Sequence, residues 1–144
     1  MKEQMQSSLS SSVSGPLAGV RIVEFAGLGP GPFACMLLTG LGADVVRIDR
    51  VDAPPVNPLD IVGRGRRTVL MNLNDPEAIE QVLQLLEHAG AVVEGFRPGV
   101  MERLGLGPEV VALRNPRLIY GRMTGWGQDA PLHRQQGMAS TRAY

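Results

Sequence analysis

Short apolar runs alternate with amphipathic segments along most of the chain, from about residue 20 to residue 125. The apolar runs predict five strands, at 20–26, 44–50, 68–73, 91–96 and 117–125. The segments between them predict helices at 33–42, 74–90, 100–105 and 108–115. Strands that are apolar almost throughout and alternate with helices are typical of a parallel sheet covered on both faces. The predicted fold class is therefore α/β, an open parallel sheet with flanking helices.

The segment 74–90 carries the clearest helix signals. Asn74 or Asp75 can cap the beginning of the helix, Pro76 suits its first turn, and Gly90 suits its carboxyl-terminal end. Its apolar residues recur at i, i+3, i+4 and i+7, and they are Ile79, Val82, Leu83 and Leu86. We expect this stripe to face the core.

Two segments have no such periodicity. Residues 1–14 are rich in serine and predict a flexible tail, without the apolar stretch of a secretory signal. Residues 51–67 are rich in proline and glycine, which predicts a surface loop between the second and third strands.

Composition narrows the classes of partner. The 144 residues suffice for one domain or part of one, and 14 basic residues balance 14 acidic ones. This balance gives no reason to expect binding to nucleic acid or to an acidic membrane. A single cysteine excludes a disulfide framework within the chain, and no apolar run approaches the length of a membrane span. We therefore expect a cytoplasmic protein.

The first predicted strand and helix contain a possible dinucleotide fingerprint. The motif G-x-G-x-x-A consists of Gly29, Gly31 and Ala34. Asp49 closes the next strand twenty residues after Gly29, which is the spacing of a ribose-binding acid. Pro30 and Pro32 argue against this, because each removes a backbone N–H that such a loop would donate to pyrophosphate. Pro32 is compatible with the first helical position, whereas Pro30 is harder to accommodate.

Three arginines lie near the predicted carboxyl ends of strands. Arg50 follows the second strand, and Arg97 and Arg103 follow the fourth. Thirteen of the fourteen basic residues are arginine, which a GC-rich genome or phosphate binding would each explain. Open parallel sheets bind ligands at this edge, so the three arginines suit a ligand with several phosphates.

The histidines and the cysteine are the other reactive side chains, and two of these three have a structural interpretation. His88 lies late in the helix 74–90, where it complements the helix dipole, and Cys35 lies on a short apolar helix. His133 lies in a polar loop and could be a base, with no partner evident in the sequence. No cluster of histidine, cysteine and aspartate has ligand spacing, so we expect no metal site.

Three blocks of sequence resemble the family III coenzyme A transferases, the CaiB/BaiF-like proteins. They are GPLAGVRIVEFAGLGPGPFACMLLTGLGADVVRIDR, EGFRPGVMERLGLGPE and NPRLIYGRMTGWGQ. The resemblance runs from about residue 15 to 137, and AGLGPGPFA, VRIDR and RMTGWGQ are most similar to the racemase branch of the family. It implies the incomplete amino-terminal part of a large Rossmann-like domain that binds coenzyme A, in a homodimer whose subunits interlock.

The resemblance also implies a reaction and a set of binding residues. Racemases of this branch epimerise the α-carbon of 2-methylacyl-CoA thioesters by two-base proton transfer through an enolate. Coenzyme A is then part of the substrate, and no permanently bound cofactor is implied. The residues that match the coenzyme-binding motifs of the family are Arg50, Leu73, Phe96, Arg97 and Arg103. The racemases commonly have Asp-Leu-Lys where this chain has Asn72-Leu73-Asn74, and the missing lysine is expected to weaken nucleotide binding.

The resemblance fails at the carboxyl end of the chain. In the racemases the QQ-x-G motif is followed by HDINY, whose histidine is one catalytic base, and an aspartate some thirty residues later is the other. This chain has Met138 near the place of that histidine, and His133 lies on the wrong side of the glutamines. A shifted reading frame near Gly137 would explain the change, so residues 138–144 are predicted to be an out-of-frame or unstructured tail. We assign no catalytic residue and expect this chain to be inactive alone.

Two other functions stay open at this point. A coenzyme A transferase of the same family would use an aspartate nucleophile that forms acyl intermediates. A non-catalytic module that binds coenzyme A or a nucleotide needs the binding residues alone.

Overall fold

The computed structural model describes residues 14–55, 57 and 59–129. The strands are β1 (Arg21–Phe25), β2 (Asp44–Asp49), β3 (Arg67–Leu70), β4 (Ala91–Glu94) and β5 (Ile119–Arg122). The helices are α1 (Pro30–Gly40), α2 (Pro76–Glu87), α3 (Val100–Arg103) and α4 (Pro108–Arg114). The tail predicted at residues 1–14 lies outside the described residues except for Ser14, and so do His133, Met138 and the tail 138–144.

The five strands form one parallel sheet in the order β3-β2-β1-β4-β5. The chain builds the sheet outward from β1 through β2 to β3, and then returns to the other side of β1 for β4 and β5. The strand order therefore reverses between β1 and β4, and ligands bind open α/β sheets at the carboxyl ends of strands at such a point. This arrangement confirms the α/β, Rossmann-like fold class.

Helices cover both faces of the sheet because successive side chains of a strand point to opposite faces. In β1, Ile22 packs with Cys35 of α1, while Val23 packs with the residues of α2. The stripe predicted on α2 is confirmed, since Val82, Leu83 and Leu86 are buried and Ile79 packs against the same cluster. No helix in the described part of the chain is long and apolar enough to span a membrane.

The bounds of the helices differ from the prediction, most of all in α1 and α2. Helix α1 begins at Pro30, not at residue 33, so Gly29 to Pro32 form a cap and a first turn instead of a loop. Proline fits there because the first N–H groups of a helix have no partner within the helix. In α2, Asp75 is the cap and accepts a hydrogen bond of 3.0 Å from the backbone N–H of Glu77. The helix ends at Glu87, before Gly90.

The segment predicted as the surface loop 51–67 is not exposed throughout. Arg67 already belongs to β3, and the side chain of Arg66 is only 1% exposed. The loop turns inward there because the buried carboxylate of Glu24, in β1, binds the guanidinium of Arg66. Strands β3 and β5 are also shorter than predicted, ending at Leu70 and Arg122.

Candidate functional site

The carboxyl edge of the sheet carries the candidate site. The turn after β1 passes through Gly29, whose φ of 77° is available to glycine at little cost, into the first turn of α1. The segment after β4 passes through Gly99, with φ of 83°, into α3. These two turns lie side by side because β1 and β4 are paired neighbours. We call the region between these two turns, where the strand order reverses, the crevice.

Two predicted site residues lie on the side of β2 and β3. Arg50 directly follows β2, with its side chain exposed and its Nε atom 3.6 Å from a carboxylate oxygen of Asp52. Leu73 follows β3 by three residues, and it is half-buried against the core that α2 covers. Both therefore lie at the carboxyl edge, where the sequence analysis predicted Arg50.

The other three predicted site residues lie on the side of β4. Phe96 is half-buried, with its ring centroid 6.0 Å from that of Phe25 at the end of β1. Arg97 is exposed in the turn that follows, and Arg103 is exposed at the end of α3. The guanidinium of Arg103 lies over the turn, since a Cβ atom at Gly99 would be 3.6 Å from its Nη1.

The sheet order sets the span of this arginine-bearing edge. Strands β2 and β4 flank β1, so their ends lie two strand spacings apart, which is about 10 Å. Arg50 is thus on one side of the crevice, and Arg97 and Arg103 are on the other. An extended ligand with phosphates at more than one place would be needed to contact both sides.

A buried ion pair beneath the crevice escaped the sequence analysis. The guanidinium of Arg66 donates to both carboxylate oxygens of Glu24, one at 2.5 Å, and also to the backbone carbonyls of Val62 and Pro32. Burial raises the pKa of the Glu24 carboxyl above its usual value of 4.5, against the opposing effect of Arg66. The signal in the sequence was an acid within an apolar strand, VRIVEFA. This pair joins the end of the loop 51–66 to β1 and α1.

A second charged cluster, also missed, lies on the other face. Glu94, the last residue of β4, is 3% exposed, and its Oε2 accepts a hydrogen bond of 2.7 Å from the backbone N–H of Phe96. Burial raises the pKa of Glu94. Arg122, the last residue of β5, places its Nε 3.5 Å from Glu94 Oε1 and donates from Nη2 to Glu102 of α3. This hydrogen bond lowers the pKa of Glu102.

The reactive groups named from the sequence have structural positions in the described residues. Cys35 is fully buried, and burial with the nearby Glu24 carboxylate raises its pKa to about 12, so the thiol stays protonated. The prediction that Cys35 lies in the core is confirmed. His88 is the exposed C-cap residue of α2. Within the described residues, no group of three or more histidine, cysteine, aspartate or glutamate side chains could hold a metal ion.

The possible dinucleotide fingerprint has few free donors. Pro30, not Pro32, is the first residue of α1, so the prediction that Pro32 takes the first helical position was wrong. Pro30 and Pro32 nevertheless remove two N–H groups from this terminus, and the N–H of Phe33 is 3.4 Å from the carbonyl of Gly29. The carboxylate of Asp49 accepts hydrogen bonds from Arg47 and from the backbone of Arg50. The geometry therefore disfavours a dinucleotide bound in the usual way.

A cleft of about 370 Å³ lies at the opposite, amino edge of the sheet. Its walls come from the first residues of β1, β2 and β3 and from the end of α2, including His88. Arg67 in this cleft already binds Asp44 through two hydrogen bonds of 2.7 and 2.8 Å. The carboxyl edge fits a phosphate-bearing ligand better, because its arginines lie at the reversal of strand order.

A parallel sheet whose strand order reverses between β1 and β4, with helices on both faces, defines the class as a Rossmann-like α/β domain. The sequence profile of CoA-transferase family III matches residues 17–141. The chain belongs to this family.

Two relatives and one solved structure illustrate the membership. The chain is 42% identical to the human alpha-methylacyl-CoA racemase over 123 residues, which are 84% of this chain and 31% of the racemase. It is 35% identical to a probable fatty acyl-CoA transferase of Mycobacterium tuberculosis over 136 residues, 85% of this chain and 34% of that protein. A crystal structure of the same mycobacterial protein gives a TM-score of 0.77 at 36% identity, covering 83% of this chain and 36% of that one. The chain thus spans about a third of the length of these relatives.

Proposed function

We propose that the chain is the coenzyme A-binding, amino-terminal part of a racemase that acts on 2-methylacyl-CoA thioesters. The observation that carries this proposal is the identity of 42% to the human racemase and 43% to that of the mouse, against 35% to the mycobacterial transferase and 40% to a CoA-transferase/lyase of Marinomonas. The racemase-like motifs AGLGPGPFA, VRIDR and RMTGWGQ support the same branch.

The carboxyl edge provides the chemistry that coenzyme A requires. The guanidinium groups of Arg50, Arg97 and Arg103 can each donate two parallel hydrogen bonds to phosphate oxygens. Leu73 would border the adenine, and the half-buried ring of Phe96 supplies an apolar wall beside Phe25. Two features thus support coenzyme A as the ligand: the hydrogen-bond donors of the arginines, and the position of all five residues at the carboxyl edge of the sheet.

The reaction needs groups that the binding residues do not supply. A thioester makes its α-hydrogen removable, and inversion requires one base on each face of the enolate and donors for its oxyanion. The family resemblance assigns these bases to a histidine near Met138 and to an aspartate further on. We therefore propose that the 144 residues bind the coenzyme moiety without racemising it, and that the interlocked homodimer belongs to a longer protein.

A coenzyme A transferase is the second candidate. Several relatives carry transferase names, among them a CoA-transferase/lyase of Marinomonas with 40% identity over 125 residues. A transferase shares the coenzyme-binding edge and differs in its nucleophile, a carboxylate that takes up the acyl group. A non-catalytic coenzyme-binding module is the third candidate, and it would share the binding edge alone.

Calorimetric titration of the 144-residue chain tests the shared proposal. We expect coenzyme A to bind and NAD to bind at least about tenfold more weakly. Arg103→Gln should weaken coenzyme A binding, whereas Arg117→Gln, an equal loss of charge in the turn before β5, should not. Equal binding of coenzyme A and NAD, or equal effects of the two substitutions, would contradict the proposed site.

Incubation with a 2-methylacyl-CoA in deuterium oxide tests the catalytic part. We expect no label at the α-position for this chain, and label for a longer protein whose reading frame continues into His-Asp-Ile-Asn. Acyl-enzyme formation and coenzyme transfer to a second acid, without label, would favour the transferase. Label introduced by the 144 residues alone would refute the proposal that they lack the bases.

A further inference from the structure

One arginine contacts both ends of the segment 95–103, which contains three of the proposed coenzyme-binding residues. Arg122 lies at the end of β5, where its Nε is 3.5 Å from Glu94, directly before the segment. Its Nη2 donates to Glu102, next to the end of the segment, and its Nη1 donates to Gln128 at 3.0 Å. A single side chain thus connects the last residue of β4 with α3.

The connection reaches the backbone of the segment through Glu94. This carboxylate accepts the N–H of Phe96 at 2.7 Å, and its burial leaves little room for another orientation. The guanidinium of Arg122 also lies 5.3 Å from the ring centroid of Tyr120, and the hydroxyl of Tyr120 donates to the carbonyl of Leu106 at 2.7 Å. Arg122 is therefore restrained by its own surroundings, with a side chain only 18% exposed.

We propose that Arg122 is a positioning residue for coenzyme binding, and this inference rests on the proposed function. Through Glu94 it orients the backbone at Phe96 and Arg97, and through Glu102 it orients the turn of α3 that carries Arg103. It acts before the ligand arrives, by fixing the segment in the conformation that places both arginines at the crevice. Fixing a segment beforehand strengthens binding because less conformational freedom is lost when the ligand binds.

The test uses Arg122→Gln and Glu102→Gln in the 144-residue chain, with Arg117→Gln as the control that matches the charge change of Arg122→Gln and Glu109→Gln, on the first turn of α4, as the control that matches that of Glu102→Gln. Calorimetry gives the dissociation constant for coenzyme A, and thermal unfolding gives the stability of each variant. Deuterium exchange of residues 95–103 and the ¹H–¹⁵N resonance of Phe96 report the order of the segment. Glu102→Gln keeps the contact between Arg122 and Glu94, so it serves if Arg122→Gln does not fold.

We expect Arg122→Gln to raise the dissociation constant about tenfold and Glu102→Gln to raise it about threefold. Exchange within 95–103 should accelerate in both, and the Phe96 resonance should move, while Arg117→Gln changes neither. A purely structural role would lower stability without faster exchange confined to this segment. Unchanged affinity in both Arg122→Gln and Glu102→Gln would overturn the inference.

The proposed function and this inference fail in different ways. If the parent chain does not bind coenzyme A, the proposed function is wrong, and the exchange measurement alone decides whether Arg122 orders the segment. If the parent chain binds coenzyme A and both variants bind it equally well, the proposed function stands and the positioning role is wrong.

Discussion

Arg66→Met is expected to be the most damaging single substitution on the α1 face of the sheet. It leaves the Glu24 carboxylate, whose side chain is fully buried, without the guanidinium that binds both of its oxygens. Removing one partner of a buried ion pair costs about 3–5 kcal/mol, because the remaining charge is desolvated and uncompensated. The contacts of Arg66 with the carbonyls of Val62 and Pro32 are lost as well.

This loss is large relative to the stability of such a domain. A typical free energy of unfolding is roughly 0.05–0.15 kcal/mol per residue, which gives about 6–17 kcal/mol for the described residues. The melting temperature of Arg66→Met should therefore fall by about 10–20 °C. Urea denaturation followed by circular dichroism measures the change in the free energy of unfolding directly. Arg64→Met, in the same loop and exposed, should change this free energy by no more than about 0.5 kcal/mol.

The pH dependence separates the electrostatic cause from simple loss of packing. Without Arg66, burial raises the pKa of Glu24 in the folded chain further above its unfolded value, although Arg47 still opposes this. A carboxyl with a raised pKa favours the folded state below the unfolded pKa and loses that contribution as the pH rises through the folded pKa. The destabilisation should thus be largest at pH 7 and should shrink as the pH approaches 4.5.

The double variant Glu24→Leu/Arg66→Met completes the test. An apolar pair of similar volume should recover most of the loss, because no unpaired charge remains. Two results would show that Glu24 is not the cause of the destabilisation. One is a free energy of unfolding of Arg66→Met at pH 7 within about 1 kcal/mol of the parent's, and the other is a difference from the parent's that does not change with pH.

Three smaller predictions follow from single side chains. Cys35, buried and with its pKa raised, should react with a thiol reagent at pH 8 only as fast as the chain unfolds, and rapid reaction in the folded state would contradict its burial. Gly65→Ala should lower the free energy of unfolding by about 1–3 kcal/mol, because the φ of Gly65 is 75° and a Cβ would lie 2.5 Å from Thr39 Cγ2. Gly19 has a similar φ of 85° but open space around it, so Gly19→Ala should lower the free energy less in the same urea titration. Asn115→Ala should cost about 2 kcal/mol in thermal unfolding, since its amide donates to three carbonyls at and beyond the end of α2, and a parent-like melting curve would count against that role.

The sequence predicted the elements that obey simple periodicity. The stripe on α2 and the apolar strands gave the sheet, its parallel direction and its two helical layers. The edge with Arg50, Arg97 and Arg103 followed from the positions of strand ends. These features depend on local pattern and on the geometry common to parallel sheets, so no tertiary information was needed.

Other features depend on contacts between residues far apart in the chain. Arg66 looked like one more exposed arginine of a loop, and its burial depends on Glu24, 42 positions earlier. Arg122 meets Glu102 across 20 positions, through a helix and a strand whose packing no local pattern specifies. The start of α1 was missed for a different reason, because two prolines suggested a loop where a capping glycine allows them in the first turn.

A titration of the ¹⁵N-labelled chain with coenzyme A tests the central claim, that the coenzyme binds at the carboxyl edge of the sheet. We expect the amide resonances of Gly27, Leu28, Gly29, Gly31 and Arg50 to move, together with those of the segment 95–103. Movements confined to the cleft at the amino edge, around Arg21 and His88, would contradict it. A spectrum of the folded chain that coenzyme A leaves unchanged at millimolar concentration would contradict it as well.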